Sequence, residues 1–343
     1  MTISLLHRFE GSLSAGCIAD ALGAPTEELS RREIPEEFAG YVTDFHAPLP
    51  GAPYARGRSA AQITDDSSQM LMLAKLLART AGQISPRDAA DLLIEWSKNR
   101  DYYPHFAGPT TRAAIERLAA GEDPEEVGRG GSIMTQGSSN GAAMRIAPVG
   151  LFHYGDPQAA VQTAFITCVP SHNTSAGVAG AAAIAAAVAE ACRPDSTIVE
   201  IVRASKRAAR EGAALGRRRG RDVPAPDIER RITHAAGLAM AATGDQDAIE
   251  LIEGEIGVGL PAAEAVPAAI GFFVAAAGNP IRAAELATNA GGDSDTIGCM
   301  AASIAGAYTG IAGIEPSYLA IVEEANDLDI AETARNLHQA ATA

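Results

Sequence analysis

Apolar and small residues recur at helical spacing along most of the chain, and the breaks between these runs fall at Gly and Pro. Residues 6–24 carry Leu13, Cys17, Ile18, Ala21 and Leu22 at that spacing and stop at Gly23-Ala24-Pro25. Gly just past a helix, with Pro soon after, is an end signal. From Leu29 to Gln62 the pattern lapses into Pro35, Pro48, Pro50, Gly51, Pro53 and Gly57, which predicts a long irregular connection of the kind that often serves function. Thr64 is placed to cap a helix reaching about Ala81. Ser85-Pro86-Arg87-Asp88 opens another, through Leu92, Leu93 and Trp96, with Pro in its first turn. Tyr102–Pro109 reads as a loop and Thr110–Ala120 as a helix. Gly128–Gly141 is polar and glycine-rich. Further helices are predicted over Ala142–Phe152, Pro157–Ile166, Ser175–Cys192, Ser196–Glu211, Asp227–Met240, Pro261–Ala277 and Pro280–Ala290. Pro148 should kink or end the first of these. Ile297–Ile314 reads as a buried helix and Ser317–Gln339 as two short ones. No period-two strand set, fixed repeat or composition break interrupts the pattern. The expectation is a single all-α domain over residues 1–343, a compact orthogonal multi-helix fold.

Composition agrees with that picture. The 343 residues are 47% hydrophobic but only 5% aromatic, and the small residues Ala and Gly suit close-packed helices better than a β-sandwich. A formal charge of −15 argues against nucleic-acid binding, which rests on neutralising phosphates with Lys and Arg. The four cysteines, Cys17, Cys168, Cys192 and Cys299, have no paired or CxxC spacing, so reduced thiols in a cytoplasm are expected. Ser14-Ala15-Gly16-Cys17 resembles a lipoprotein cleavage site only superficially. Arg8 and Glu10 interrupt the segment where an apolar region belongs, and no basic stretch precedes it. The Ala- and Gly-rich runs Ala176–Cys192 and Ile297–Ile314 are at or below spanning length and read as packed core helices, so no membrane partner is expected.

The candidate chemistry concentrates at two helix starts. Gly291-Gly292-Asp293-Ser294-Asp295-Thr296 precedes one long apolar run, and Thr64-Asp65-Asp66-Ser67-Ser68 precedes another. Either cluster alone is explained by capping and by acidic residues offsetting the helix dipole. Together they suggest more. Carboxylates sharing one site resist joint ionisation. A divalent cation removes that conflict, and an all-oxygen donor set favours Mg²⁺, Mn²⁺ or Ca²⁺ over zinc. The expectation is that the two starts face each other around a metal centre. Gln136–Gly141, feeding Ala142-Ala143-Met144-Arg145, offers backbone N–H groups to an anion such as a nucleotide diphosphate, or is a flexible connection. His172 either caps the following helix or contacts a bound sugar or nucleotide. Glu27 is either a solvated loop acid or a general acid or base. Arg217-Arg218-Arg219-Gly220-Arg221 reads as a solvated loop, with an anion-contacting lid as the alternative.

Taken in order, Ala19-Asp20-Ala21-Leu22-Gly23-Ala24-Pro25-Thr26-Glu27, Thr64-Asp65-Asp66-Ser67, Asn140-Gly141-Ala142-Ala143-Met144-Arg145, Ser171-His172 and Gly291–Thr296 resemble the ADP-ribosylglycohydrolase family over nearly the whole chain. The resemblance implies an all-helical fold with two Mg²⁺ (or Mn²⁺) in a cleft. Thr64, Asp65, Asp66, Asp293, Asp295 and Thr296 would be their ligands, and Glu27 the catalytic carboxylate. Gly108, Ser138, Ser139, Asn140, Gly141, Met144, Arg145 and His172 would lie along the substrate. It also implies hydrolysis of the ribosyl C1″ bond of an ADP-ribosylated protein or another ADP-ribose conjugate. The alternatives are a ribosyl hydrolase acting on a small nucleoside-like metabolite and a non-catalytic, crystallin-like ADP-ribose binder. Ala19 stands where the family usually has glycine, and Ser67 where it has threonine. Gly108-Pro109-Thr110-Thr111, which should border the leaving group, has no carboxylate to favour an arginine leaving group.

Overall fold

A computed structural model describes residues 3–131, 133 and 135–343; Ser132 of the glycine-rich stretch lies outside the described residues, as do Met1, Thr2 and Met134. In chain order the helices are α1 (Leu5–Gly23), α2 (Ile34–Glu37), α3 (Asp65–Thr80), α4 (Pro86–Trp96), α5 (Tyr103–Phe106) and α6 (Pro109–Ala119). They continue with α7 (Pro124–Arg129), α8 (Ala147–Phe152), α9 (Pro157–Cys168), α10 (Ser175–Ala191), α11 (Ile198–Arg219) and α12 (Ile228–Ala241). The last six are α13 (Asp245–Glu255), α14 (Ala262–Ala275), α15 (Pro280–Ala290), α16 (Ser294–Thr309), α17 (Pro316–Asn326) and α18 (Ile330–Thr342). The fold is all-α. Among the described residues the only β pairing is three isolated bridges, Ser30 with Gly291, Ser139 with Pro261 and Thr174 with Arg221.

The small-residue composition has a direct structural use. Every residue of α10 is buried, so this helix has no polar face and needs none. Its neighbours come close because they carry glycine at the crossings. A Cβ on Gly212 would lie 2.7 Å from the Val178 carbonyl oxygen, and one on Gly150 2.4 Å from that of Ala185. Helices α1 and α16 approach in the same way, Gly11 against Gly306 and Gly23 against the backbone of Asp295. Arg8, itself buried, donates through Nη1 to the carbonyls of Ala191 (2.8 Å), Ala307 (2.9 Å) and Tyr308 (2.7 Å), tying the ends of α10 and α16 to α1. These contacts satisfy helix-end carbonyls that would otherwise be orphaned in the core.

Several boundaries differ from the sequence expectation. Helix α8 starts only at Ala147, which puts Pro148 in the first turn, where its missing N–H costs nothing. Helix α11 runs on to Arg219, so the arginine run is largely a helical last turn, where cations complement the dipole. Helix α16 begins at Ser294, with Asp293 as its capping residue. Helices α7 and α13 carry no strong apolar stripe and were not expected, and α5 lies inside the expected Tyr102–Pro109 loop. Among the described residues no helix is long and apolar enough to cross a membrane. All four cysteines are buried and free.

Candidate metal centre and substrate cavity

The start of α16 is pinned from two sides because its preceding residues are glycines. Gly291 (φ +73°) and Gly292 (φ +63°) lie in the left-handed region that side chains avoid. A Cβ on Gly291 would stand 2.1 Å from the Leu29 carbonyl oxygen, and one on Gly292 2.4 Å from that of Val258. Through this gap Glu28 N donates to Gly292 O (2.7 Å), Gly292 N to Leu29 O (2.9 Å) and Asp293 N to Val258 O (2.8 Å). Thr26 Oγ1 donates either to Gly23 O or to Thr288 O and lies 2.9 Å from Ser294 Oγ. The loop carrying Glu27 is thereby fixed against the first turn of α16.

The start of α3 is held by α1. Thr64 caps the helix, its hydroxyl accepting from Asp66 N (3.4 Å) and lying 3.2 Å from Asp66 Oδ2. From α1, the fully buried Asp20 carboxylate accepts Thr64 N (3.1 Å to each oxygen) and Ser67 N (3.0 Å). Ser67 thus contributes its amide here, and Ala19 packs near Gly298 of α16.

The two starts open onto one cavity of about 730 Å³. Glu27, Asp65, Asp66, Asp293, Asp295 and Thr296 line it together, while Thr64 stays behind the wall in its capping bonds. Carboxylate oxygens of Glu27, Asp293 and Asp295 lie within 4.8 Å of one another, close enough to share an ion. Burial raises every one of these carboxyls above the ordinary carboxylate range. Mutual repulsion adds to burial for Glu27, Asp65, Asp66 and Asp295. Asp293 is pushed up to about 6 by burial, against the relief of its bond from Asn140. Asp66 Oδ1 is buried with no hydrogen-bond partner. Crowded carboxylates, a threonine hydroxyl and an unpartnered buried oxygen suit a hard divalent cation.

The opposite wall is the glycine-rich stretch. Gly108, Ser138, Ser139, Asn140, Gly141 and Met144 all line the cavity. Asn140 Nδ2 donates to Asp293 Oδ2, so this wall touches the acidic centre directly. Asn140 N donates to Leu260 O (3.0 Å) and Ala262 N to Ser138 O (2.9 Å), anchoring the loop to the start of α14. Arg145 and His172, expected along the substrate, lie behind this wall and are buried. Arg145 Nη1 donates to Gly141 O (2.6 Å) and Gln69 Oε1 (2.8 Å), and its Nη2 donates to Ser171 Oγ (3.2 Å). Ser171 Oγ lies 2.9 Å from His172 Nδ1, and His172 Nε2 lies 3.0 Å from Ser139 Oγ. The His172 ring thus bridges Ser171, itself held by Arg145, and Ser139 of the cavity wall. Burial, reinforced by the Arg145 charge, pushes His172 down to about 3, which keeps the ring neutral.

Sequence reasoning missed other wall residues. Tyr54 and Phe106 line the cavity from the irregular connection and from α5, and Pro224-Ala225-Pro226 closes another side. Arg231 of α12 is the one cationic side chain among the described lining residues. None of these belongs to a spaced motif, so only Pro and aromatic residues in long loops hinted at them. The arginine run takes no part in the lining. Arg219 stacks over Phe165 (4.6 Å to the ring centroid), and Arg221 donates to Gln136 O.

Residues 1–343 match the ADP-ribosylglycohydrolase family. The chain is 31% identical to the uncharacterized protein YegU of Escherichia coli strain K12, over 94% of each protein. It is 27% identical to the ADP-ribosylhydrolase ARH3 of Homo sapiens, over 97% of this chain and 93% of that one. A solved structure of an ADP-ribosylglycohydrolase-related protein complex shares the fold, with a TM-score of 0.70 at 22% identity, covering 98% of this chain and 99% of that chain. The chain belongs to the ADP-ribosylglycohydrolase family.

Proposed function

We propose that the protein is a hydrolase that uses a divalent-metal centre to cleave the ribosyl C1″ bond of ADP-ribose conjugates. The observation that carries this reading is the meeting of two acidic helix starts, far apart in sequence, on one cavity whose facing wall is a Ser/Asn/Gly loop. In this reading Asp65, Asp66, Asp293, Asp295 and Thr296 hold two Mg²⁺ or Mn²⁺, with Thr64 supporting them through its bonds to Asp66. When bound, such cations supply Lewis-acid polarisation and a water of lowered pKa. Ser138, Ser139, Asn140, Gly141 and Met144 hold the diphosphate and ribose, and Gly108 borders the leaving group. Arg145 and His172 orient this wall from behind. Glu27, with its carboxyl raised by burial and by four neighbouring carboxylates, is suited to hold a proton and deliver it from an Oε atom to the departing atom. Its place within reach of Asp293 and Asp295 also allows an Oε atom to complete the cation's shell when deprotonated. At about 730 Å³ the cavity has room for a diphosphate-bearing substrate, and Arg231 gives it one positive side chain, which favours an ADP-ribose conjugate over a bare nucleoside.

The test is hydrolysis of arginine-, serine- and small-molecule-linked ADP-ribose, assayed with Mg²⁺ and again with excess chelator. Release of ADP-ribose from at least one substrate, lost with chelator and restored by metal, is expected. Tight ADP-ribose binding without turnover on any substrate would replace the proposal with a binding role. Turnover of free nucleosides alone would replace it with a metabolite hydrolase.

A further inference from the structure

We infer that Asp20, which is outside the cavity lining, is the positioning residue that sets Asp65 and Asp66 against the cavity by fixing the start of α3 through the amides of Thr64 and Ser67. This rests on the reading that the acidic centre holds a divalent cation. Acidic residues in a helix's first turn ordinarily turn back to the free N–H groups there, which is their source of stabilisation. In α3 three of those groups are already taken. The Asp20 carboxylate arrives from α1 and accepts Thr64 N through both oxygens and Ser67 N through one. Thr64 Oγ1 takes Asp66 N. Asp65 and Asp66 both reach the cavity lining, and although Asp66 Oδ2 accepts from Thr64 Oγ1, Asp66 Oδ1 is left buried without a partner.

The arrangement also sets one centre from both sides. Asp20 sits on α1, and three residues further on α1 meets the start of α16 at Gly23, whose missing side chain admits the Asp295 backbone. One rigid helix thus indexes the start of α3 through Asp20 and the start of α16 through Gly23. Asp20 is fully buried, faces backbone amides and does not line the cavity, so its part is geometric.

Mn²⁺ binding to purified full-length protein, followed by the electron paramagnetic resonance signal of free Mn²⁺, tests this. Asp20→Asn keeps one acceptor oxygen but sets an amide against the α3 amides. The Mn²⁺ dissociation constant is expected to rise by about tenfold or more, as for other residues that orient metal ligands from behind. Hydrolysis should fall at limiting Mn²⁺ and recover at saturating Mn²⁺. Arg8→Met, which removes a buried anchor elsewhere on α1, is the comparison for a purely structural effect. It should lower the melting temperature and leave the Mn²⁺ constant within twofold of wild type. If Asp20→Asn does not fold, Asp20→Ser is titrated in its place. A folded Asp20 variant with Mn²⁺ affinity within twofold of wild type overturns the inference. Wild-type protein that binds no Mn²⁺ overturns the metal reading itself, a separate and distinguishable outcome.

Discussion

Replacing Asp293 by Asn should stabilise the metal-free protein while removing its response to Mg²⁺. The carboxyl of Asp293 is buried among acidic neighbours, and its pKa is raised from 3.8 to about 6. At pH 7.5 it is ionised in both folded and unfolded chains, and the shift corresponds to about 3 kcal/mol by which the folded state disfavours that charge. Asparagine removes the charge, keeps the shape and can turn its amide oxygen toward Asn140 Nδ2, the donor that serves Asp293 now. Asp293 makes no capping bond with its side chain, so the start of α16 loses little. With an unfolding entropy proportional to chain length, 3 kcal/mol is roughly 4 °C for a chain of this size. In the wild type, Mg²⁺ at a hundredfold excess over its dissociation constant should add about 2.7 kcal/mol, again roughly 4 °C. Differential scanning calorimetry at pH 7.5, with chelator and with Mg²⁺, reads both effects. The variant should melt above wild type in chelator and show a much reduced rise with Mg²⁺. A variant that melts lower in chelator, or whose rise with Mg²⁺ matches wild type, would refute the electrostatic reasoning.

Glu27→Gln should bind ADP-ribose with near-normal affinity and lose about a hundredfold or more in kcat, the range expected for removing a general acid or base; full turnover would take Glu27 out of the chemistry. Arg231→Gln should raise KM for an ADP-ribosyl substrate by about tenfold with kcat unchanged, since a charge-assisted bond to an anion is worth about 1.5–3 kcal/mol; an unaltered KM would place the diphosphate elsewhere. The melting-temperature gain on adding Mg²⁺ should be large at pH 8 and vanish below about pH 5. The site carboxyls are raised in the folded chain, so their contribution to metal-free stability is present below their unfolded values, 3.8 for the aspartates and 4.5 for Glu27, and is lost as pH rises, through about 6 for Asp293. His172 works with the opposite sign. Its pKa, lowered to about 3, contributes stability above the unfolded value of 6.5 that is lost as pH falls, but it acts alike with and without Mg²⁺ and cancels from the gain. A gain that grows toward acid pH would contradict this.

The helical architecture was legible because burial repeats at helical spacing and because Gly and Pro punctuate it. Thr64 and the pairing of acidic motifs with apolar helices announced the two starts that the cavity brings together. What escaped was mostly what lacks a period. Asp20 was visible only as one letter in a helical motif, since its partners are backbone amides 44 and 47 residues away. Arg145 and His172 read as ligand contacts because sequence order cannot tell which side of a wall a side chain faces. Tyr54, Phe106 and Arg231 reach the cavity from a loop, a four-residue helix and an amphipathic helix, each unremarkable in isolation. Helix α13 was missed because its charged residues Asp245, Asp247, Glu250, Glu253 and Glu255 outnumber the apolar ones that bury Ile249 and Ile252.

The most direct measurement is a crystal of the wild-type protein grown with Mn²⁺ and recorded at a wavelength where manganese scatters anomalously. The account predicts anomalous density inside the cavity, bounded on one side by Asp65 and Asp66 and on the other by Asp293 and Asp295. Density confined to other parts of the surface, or a cavity in which these four carboxylates bind no ion at all, would contradict it.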